Sequence, residues 1–179
     1  AHQWQPPAAD HRVFELEGQT AVVVGLGAIG RAIAERANAF GIRVIGVRRS
    51  ASAQLPVGVQ RVVPISEVDS VLPEADHVIM SLPLTAETRG LFSRDRLSKL
   101  KDGAYFYNVG RGATVDQDAL IDCRRSGKIA GAGLDVVTPE PLPADSPLWD
   151  MENVIVTGHT SGRTPRWLER ALPIGQENL

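Results

Sequence analysis

Three side chains near the ends of apolar runs carry most of the chemistry available in this sequence. Arg111 lies in Asn108-Val109-Gly110-Arg111-Gly112, and Glu140 in Gly133-Leu134-Asp135-Val136-Val137-Thr138-Pro139-Glu140-Pro141-Leu142. His159 ends the run Asn153-Val154-Ile155-Val156-Thr157-Gly158-His159. An imidazole titrates near neutral pH and can donate a proton to a reacting oxygen. A carboxylate bonded to its other nitrogen fixes the ring and favours its protonated form. A guanidinium binds a carboxylate and polarises a carbonyl. Alone, each has a plainer reading: a structural histidine, an arginine that caps a helix or pairs with Asp116, and a solvated glutamate in a proline-rich loop. Their ordered placement after successive strands favours a shared site.

The elements that must position them begin with Gly25-Leu26-Gly27-Ala28-Ile29-Gly30. The apolar run Ala21 to Val24 leads in, and a helical pattern with Ile33, Ala37 and Phe40 on one side leads out. Strand, glycine turn and helix N-terminus in that order make a dinucleotide site: glycines give the tight turn, the approach to pyrophosphate and the helix-strand contact. Unpaired N–H groups at the positive end of the helix dipole meet the phosphates.

The pattern predicts strands at Thr20 to Val24, Arg43 to Val47, Arg61 to Val63, His77 to Leu82, Tyr105 to Val109, Ile129 to Leu134 and Val154 to Val156. Helices are expected at Ala28 to Phe40, from a cap at Ser66, from a cap at Ser93 through Leu100, at Asp116 to Ser126, and from Thr164 onward. The two glycines of the sixth strand imply close approach by a neighbour. Continuous apolar strands alternating with helices mark an α/β, Rossmann-type doubly wound parallel sheet with helices on both faces. Residues 1 to 17, with Trp4 and Pro6-Pro7, read as a linker from another domain. Residues 18 to 165 are the dinucleotide-binding domain, and 166 to 179 start a helix returning toward a substrate domain largely absent from this chain.

Bulk properties exclude other classes. A formal net charge of -2 without a basic stripe argues against nucleic-acid binding. No apolar stretch nears membrane-spanning length and no signal-peptide pattern opens the chain, so a cytoplasmic location is expected. Cys123 is the single cysteine, which rules out an internal disulfide and reads as structural. His2, His11 and His77 read as structural or solvated, and no cluster has metal-ligand spacing.

The second strand ends in Arg48-Arg49-Ser50, and no Asp or Glu occurs between Glu35 and Glu67. A carboxylate at that strand end holds ribose hydroxyls in NAD-type sites; two guanidinium groups and a hydroxyl suit a ribose 2′-phosphate. A solvated arginine pair is the plainer reading. NADP(H) is expected over NAD(H), with NAD(H) possible.

With these motifs, Ser81-Leu82-Pro83-Leu84-Thr85 followed by Glu87-Thr88, and Pro147-Leu148-Trp149, the chain from about Leu16 onward resembles the cofactor-binding domain of the D-2-hydroxyacid dehydrogenase family. The resemblance implies hydride transfer between a nicotinamide cofactor and a small 2-oxo or 2-hydroxy acid. Arg111, Glu140 and His159 would be the catalytic set. Cofactor contacts would come from Gly25, Gly27, Ala28, Ile29, Gly30, Arg48, Arg49, Ser50, Ser81, Leu82, Pro83, Thr88, Val109, Gly110, Arg111, Asp135, His159 and Ser161. Within that set, Asp135 would lie near the nicotinamide carboxamide. Glyoxylate or hydroxypyruvate is the expected substrate, and a homodimer through this domain the expected assembly. The other readings are a phosphoglycerate dehydrogenase, a corepressor resembling C-terminal-binding proteins, and a nucleotide sensor without chemistry. Gly158 stands where many relatives carry proline. The chain reads as a fragment, expected to bind cofactor but to turn over poorly alone.

Overall fold

The computed structural model describes residues 13–50, 54–166 and 169. The expectations for Trp4, Pro6-Pro7, His2 and His11 lie outside these residues, as does most of the stretch expected to form a C-terminal helix. Among the described residues there are seven strands: β1 (Thr20–Val24), β2 (Arg43–Arg48), β3 (Arg61–Pro64), β4 (His77–Met80), β5 (Ala104–Asn108), β6 (Ile129–Leu134) and β7 (Val154–Val156). They form one parallel sheet in the order β3-β2-β1-β4-β5-β6-β7. The order reverses at β1, so the crevice between the ends of β1 and β4 is the topological switch point, where such sheets bind ligands.

Alternation along β1 divides the core. Ala21 and Val23 pack with Ala34 of α1 (Ala28–Ala39), Val44 and Ile42 on one face. Val22 and Val24 join Leu97 of α2 (Arg94–Ser98) and Leu120 of α3 (Gln117–Arg125) on the other. Beyond α1, the first face carries Tyr105, Tyr107 and His77, and Tyr105 covers Gly131, where an added Cβ would lie 2.7 Å from the Asn153 carbonyl oxygen. That is the close approach predicted from the glycines of β6. His77 is buried, with Nε2 2.6 Å from Gln19 Oε1 and Nδ1 3.1 Å from the Tyr107 hydroxyl, so it ties the entering chain to the sheet.

Element ends differ from expectation for local reasons. α1 stops at Ala39, with Phe40 as its C-cap and Gly41 at φ 77° beyond it. Asp116 is the N-cap of α3, its Oδ1 accepting from the Ala119 amide at 3.0 Å, and is not the first helical residue. α2 is one short helix capped by Ser93, whose hydroxyl accepts from the Arg96 amide, and it ends before Leu100. Ser66 caps nothing: a 3₁₀ turn, Ile65–Ser70, starts one residue earlier, after extended Pro64. Strand β4 ends at Met80, two residues short of Leu82, and β5 runs one residue earlier than expected. Thr164 to Arg166 form no helix, because Pro165 disfavours helical backbone at Thr164.

Candidate active site

The glycine turn leaves the end of β1 and enters α1 with Gly27 as N-cap and no side-chain cap. The first intrahelical bond runs from the Arg31 amide to the Gly27 carbonyl at 3.0 Å, so the Ala28, Ile29 and Gly30 amides remain for a ligand. A Cβ on Gly30 would lie 1.7 Å from the Gly25 carbonyl oxygen, whereas one on Gly27 would meet nothing within 4 Å. Helix and strand therefore need glycine at residue 30, and the space over Gly27 is open to a pyrophosphate. Ser81 closes the turn from the end of β4, its hydroxyl donating to the Gly25 carbonyl at 2.7 Å. Leu82 and Pro83 follow, and Thr88 secures that loop by donating to the Pro83 carbonyl at 2.7 Å.

At the end of β2, Arg48 is half-buried, while Arg49 and Ser50 are exposed. Nε and Nη2 of Arg48 are buried without a hydrogen-bond partner among the described residues. A buried unpartnered guanidinium is costly, and an anion supplied by a ligand removes that cost. Arg48 lines a cleft of about 470 Å³ with Arg31, Glu35 and residues 54–57. Open space at Gly27, free helix amides and this orphaned guanidinium fit a nicotinamide dinucleotide.

Beyond β5 the chain turns through Val109, Gly110 and Arg111. Buried Asn108 organises the turn: its Oδ1 accepts from the Gly110 amide at 3.0 Å, and its Nδ2 donates to the Arg111 carbonyl at 3.1 Å. Thr114 donates its hydroxyl to the same carbonyl at 2.7 Å. The Arg111 guanidinium donates to the Gly110 carbonyl at 2.7 Å and stays exposed.

This turn packs on the loop after β6. A Cβ on Gly112 would lie 2.0 Å from the Val137 carbonyl oxygen. Gln117 clamps Thr138 twice, donating to its carbonyl at 2.7 Å and accepting from its amide at 2.9 Å. The clamp holds the loop in which Glu140 Oε1 accepts from the Val137 amide at 3.1 Å and Oε2 meets His159 Nδ1 at 2.9 Å. The hydrogen bond from His159, helped by the Val137 amide and the Arg111 charge, holds the Glu140 carboxyl below its usual range against the opposing effect of burial.

His159 adopts φ 54°, a left-handed conformation uncommon outside glycine. Asp135, 6% exposed, anchors this loop: it accepts from the Thr157 hydroxyl at 2.6 Å, the Thr160 amide at 2.9 Å and the Ser161 amide at 3.1 Å. Burial alone would raise its pKa, but hydrogen bonds from Ser161, Thr157 and Thr160 overcome that and hold it at about 2. The structure thus brings Arg111, Glu140 and His159 to one rim, at the carboxyl ends of β5, β6 and β7. The anchoring contacts of Gln117, Thr114 and Asp135 had no counterpart in the sequence reading.

Comparison with known proteins gives a consistent assignment. The D-isomer specific 2-hydroxyacid dehydrogenase, NAD binding domain profile matches residues 1–161. Glyoxylate/hydroxypyruvate reductase B of Pectobacterium carotovorum is 40% identical over 153 residues, which is 84% of this chain and 47% of that protein. The mitochondrial formate dehydrogenase 2 of rice, Oryza sativa, is 36% identical over 165 residues, 90% of this chain and 43% of its own. A D-isomer specific 2-hydroxyacid dehydrogenase of Xanthobacter autotrophicus, solved with NADPH and MES, superposes with a TM-score of 0.81 at 41% identity, covering 89% of this chain and 64% of that one. The chain spans about half the length of the curated relatives it matches. No helix among the described residues is long and apolar enough to cross a membrane. The chain belongs to the D-isomer specific 2-hydroxyacid dehydrogenase family and corresponds to its NAD-binding domain.

Proposed function

We propose that this chain is the cofactor-binding and catalytic half of an NADP(H)-dependent reductase of small 2-oxo acids, with glyoxylate and hydroxypyruvate as the first substrates to test. The observation that carries the reading is the 2.9 Å pair of His159 and Glu140 beside Arg111. Glu140 occupies Nδ1, so Nε2 is the ring nitrogen left to face a substrate. When bound in this crevice, NADPH would supply the hydride for the carbonyl carbon. His159 donates the proton from Nε2 to the carbonyl oxygen, leaving a neutral imidazole that solvent recharges. Glu140 orients the ring and stabilises its charged form. Arg111 binds the substrate carboxylate and polarises the carbonyl. Ala28, Ile29 and Gly30 offer amides to the pyrophosphate, with Gly25, Ser81, Leu82, Pro83 and Thr88 shaping the crevice. Val109, Gly110, Asp135 and Ser161 border the nicotinamide end.

The preference for NADP(H) rests on the buried Arg48 nitrogens without partners, with Arg49 and Ser50 beside them. A relative of this family was solved with NADPH, which supports the same choice. NADPH oxidation by the full-length protein, measured with glyoxylate, hydroxypyruvate and phosphohydroxypyruvate, tests the reading. Turnover of the first two is expected. Turnover of phosphohydroxypyruvate alone would make the enzyme a phosphoglycerate dehydrogenase, and no turnover of any would refute the reductase. Arg48→Asp should weaken NADPH binding by about tenfold or more while NADH changes little. A wild type that prefers NADH overturns the cofactor assignment.

A further inference from the structure

The cleft beside β2 holds a group that works against the ligand its arginines attract. Arg48 enters from the strand end with two buried nitrogens lacking partners, and Arg31 enters from α1. Glu35, also from α1 and one helical turn after Arg31, lines the same cleft. Residues at this spacing lie on one helix face, so their side chains are neighbours. The arginine precedes the glutamate, the weaker order for such a pair against the helix dipole. No ion pair of Glu35 forms among the described residues. Glu35 is exposed and supplies the negative charge in the lining of a cleft of about 470 Å³ whose other charged lining residues, Arg31 and Arg48, are cationic.

A ribose 2′-phosphate brings close to two negative charges at neutral pH. Arg48 and Arg31 attract it, whereas Glu35 repels it. A ribose hydroxyl carries no charge and feels neither effect strongly. We propose that Glu35 is a specificity-determining residue that weakens 2′-phosphate binding and so keeps NADH usable in a pocket otherwise suited to NADPH. This rests on the NADP(H) reading of the Arg48 site. It assigns a residue of α1, away from the strand end, to the balance between the two cofactors.

The test is a pair of affinities, NADPH and NADH, measured on the full-length wild type and on Glu35→Gln and Glu35→Asp at low and high salt. With Glu35→Gln at low salt, NADPH should bind about fivefold tighter and NADH should change by less than about twofold. The gain should shrink at high salt, because the cleft is open and the charges are screened. 2′-AMP should compete better against the glutamine variant, while 5′-AMP should not. Glu35→Asp keeps the charge and should keep the wild-type preference. NADPH affinity unchanged or weakened in Glu35→Gln overturns the assignment, as does an altered ratio that comes only from weaker NADH binding. A wild type that prefers NADH, with 2′-AMP no better a ligand than 5′-AMP, instead refutes the NADP(H) reading beneath it.

Discussion

Asp135 offers the sharpest quantitative test, because its carboxylate touches the loop that presents His159 without being one of the three groups at the rim. Asp135→Asn keeps the shape and removes the charge, so it imitates the protonated acid. The folded-state pKa of about 2 lies below the ordinary 3.8. The charged form is thus favoured by about 2 kcal/mol in this site, since each pKa unit is about 1.4 kcal/mol. Asn would also turn N–H donors toward the Thr160 and Ser161 amides if its oxygen faces Thr157. The local opening of the loop should become roughly 30-fold more frequent.

Amide exchange of Thr160 and Ser161 in the full-length protein reads this directly, because both amides end on Asp135. At pH 7 their protection should fall about 30-fold in Asp135→Asn, while the β1 amides stay unchanged. The pH dependence has a definite sign. A depressed carboxylate contributes fully above about pH 4 and loses its contribution as pH falls through about 2. The difference between wild type and variant should therefore narrow on acidification. His159 sits at φ 54°, so a looser loop should relax it and lower kcat by about tenfold. Protection at Thr160 and Ser161 within about twofold of wild type at pH 7 would refute the anchoring argument.

Three further outcomes follow from the geometry. Glu140→Gln should lower kcat by about 100-fold with NADPH affinity nearly unchanged, because only the His159 contact at 2.9 Å is lost, and a parallel loss of cofactor binding in titration would contradict this. Gly30→Ala should abolish NADPH binding in the same titration, since its Cβ would fall 1.7 Å from the Gly25 carbonyl oxygen and the turn must move. Gln117→Ala removes both bonds to Thr138 and should cut kcat/KM several-fold while leaving NADPH affinity alone; unchanged kcat/KM would show that the Glu140 loop needs no such clamp.

What the sequence made legible was whatever follows from periodicity and backbone sterics. Thr20–Val24, Ile129–Leu134 and Val154–Val156 have the predicted bounds: the first and last are mostly β-branched apolar runs, and the middle one is a short apolar run whose glycines mark close packing in the sheet. The order of the motifs led to the expectation that Glu140 meets His159, and the two are in contact at 2.9 Å. The anchors could not. Gln117 opens a helix and looks like any exposed polar residue there; that it faces Thr138, 21 positions on, depends on the packing of α3 beside β6. Asp135 was expected near the nicotinamide carboxamide, yet the carboxylate's visible partners are Thr157, Thr160 and Ser161, more than 20 positions downstream. The boundary near Ser66 failed because the capping pattern is local, whereas extended Pro64 at the end of β3 set where the turn began.

The two kinds of contact divide the work of the site. The candidate catalytic side chains at the rim lie open to solvent, as Arg111 and His159 do. Their backbones are fixed from beneath by groups that are themselves buried: Asn108 and Thr114 under Arg111, and Asp135 under the loop carrying His159. A buried acceptor with several donors is costly to leave unsatisfied, so each anchor resists movement of the loop above it. Adjacent parallel strands end at one level, which lets the acid just after β6, Asp135, accept from the loop after β7 and an amide side chain at the end of β5 organise its own turn. Geometry at this rim is therefore set by strand register. A substitution that shifts β6 against β7 by one residue should disable the site even with Arg111, Glu140 and His159 intact.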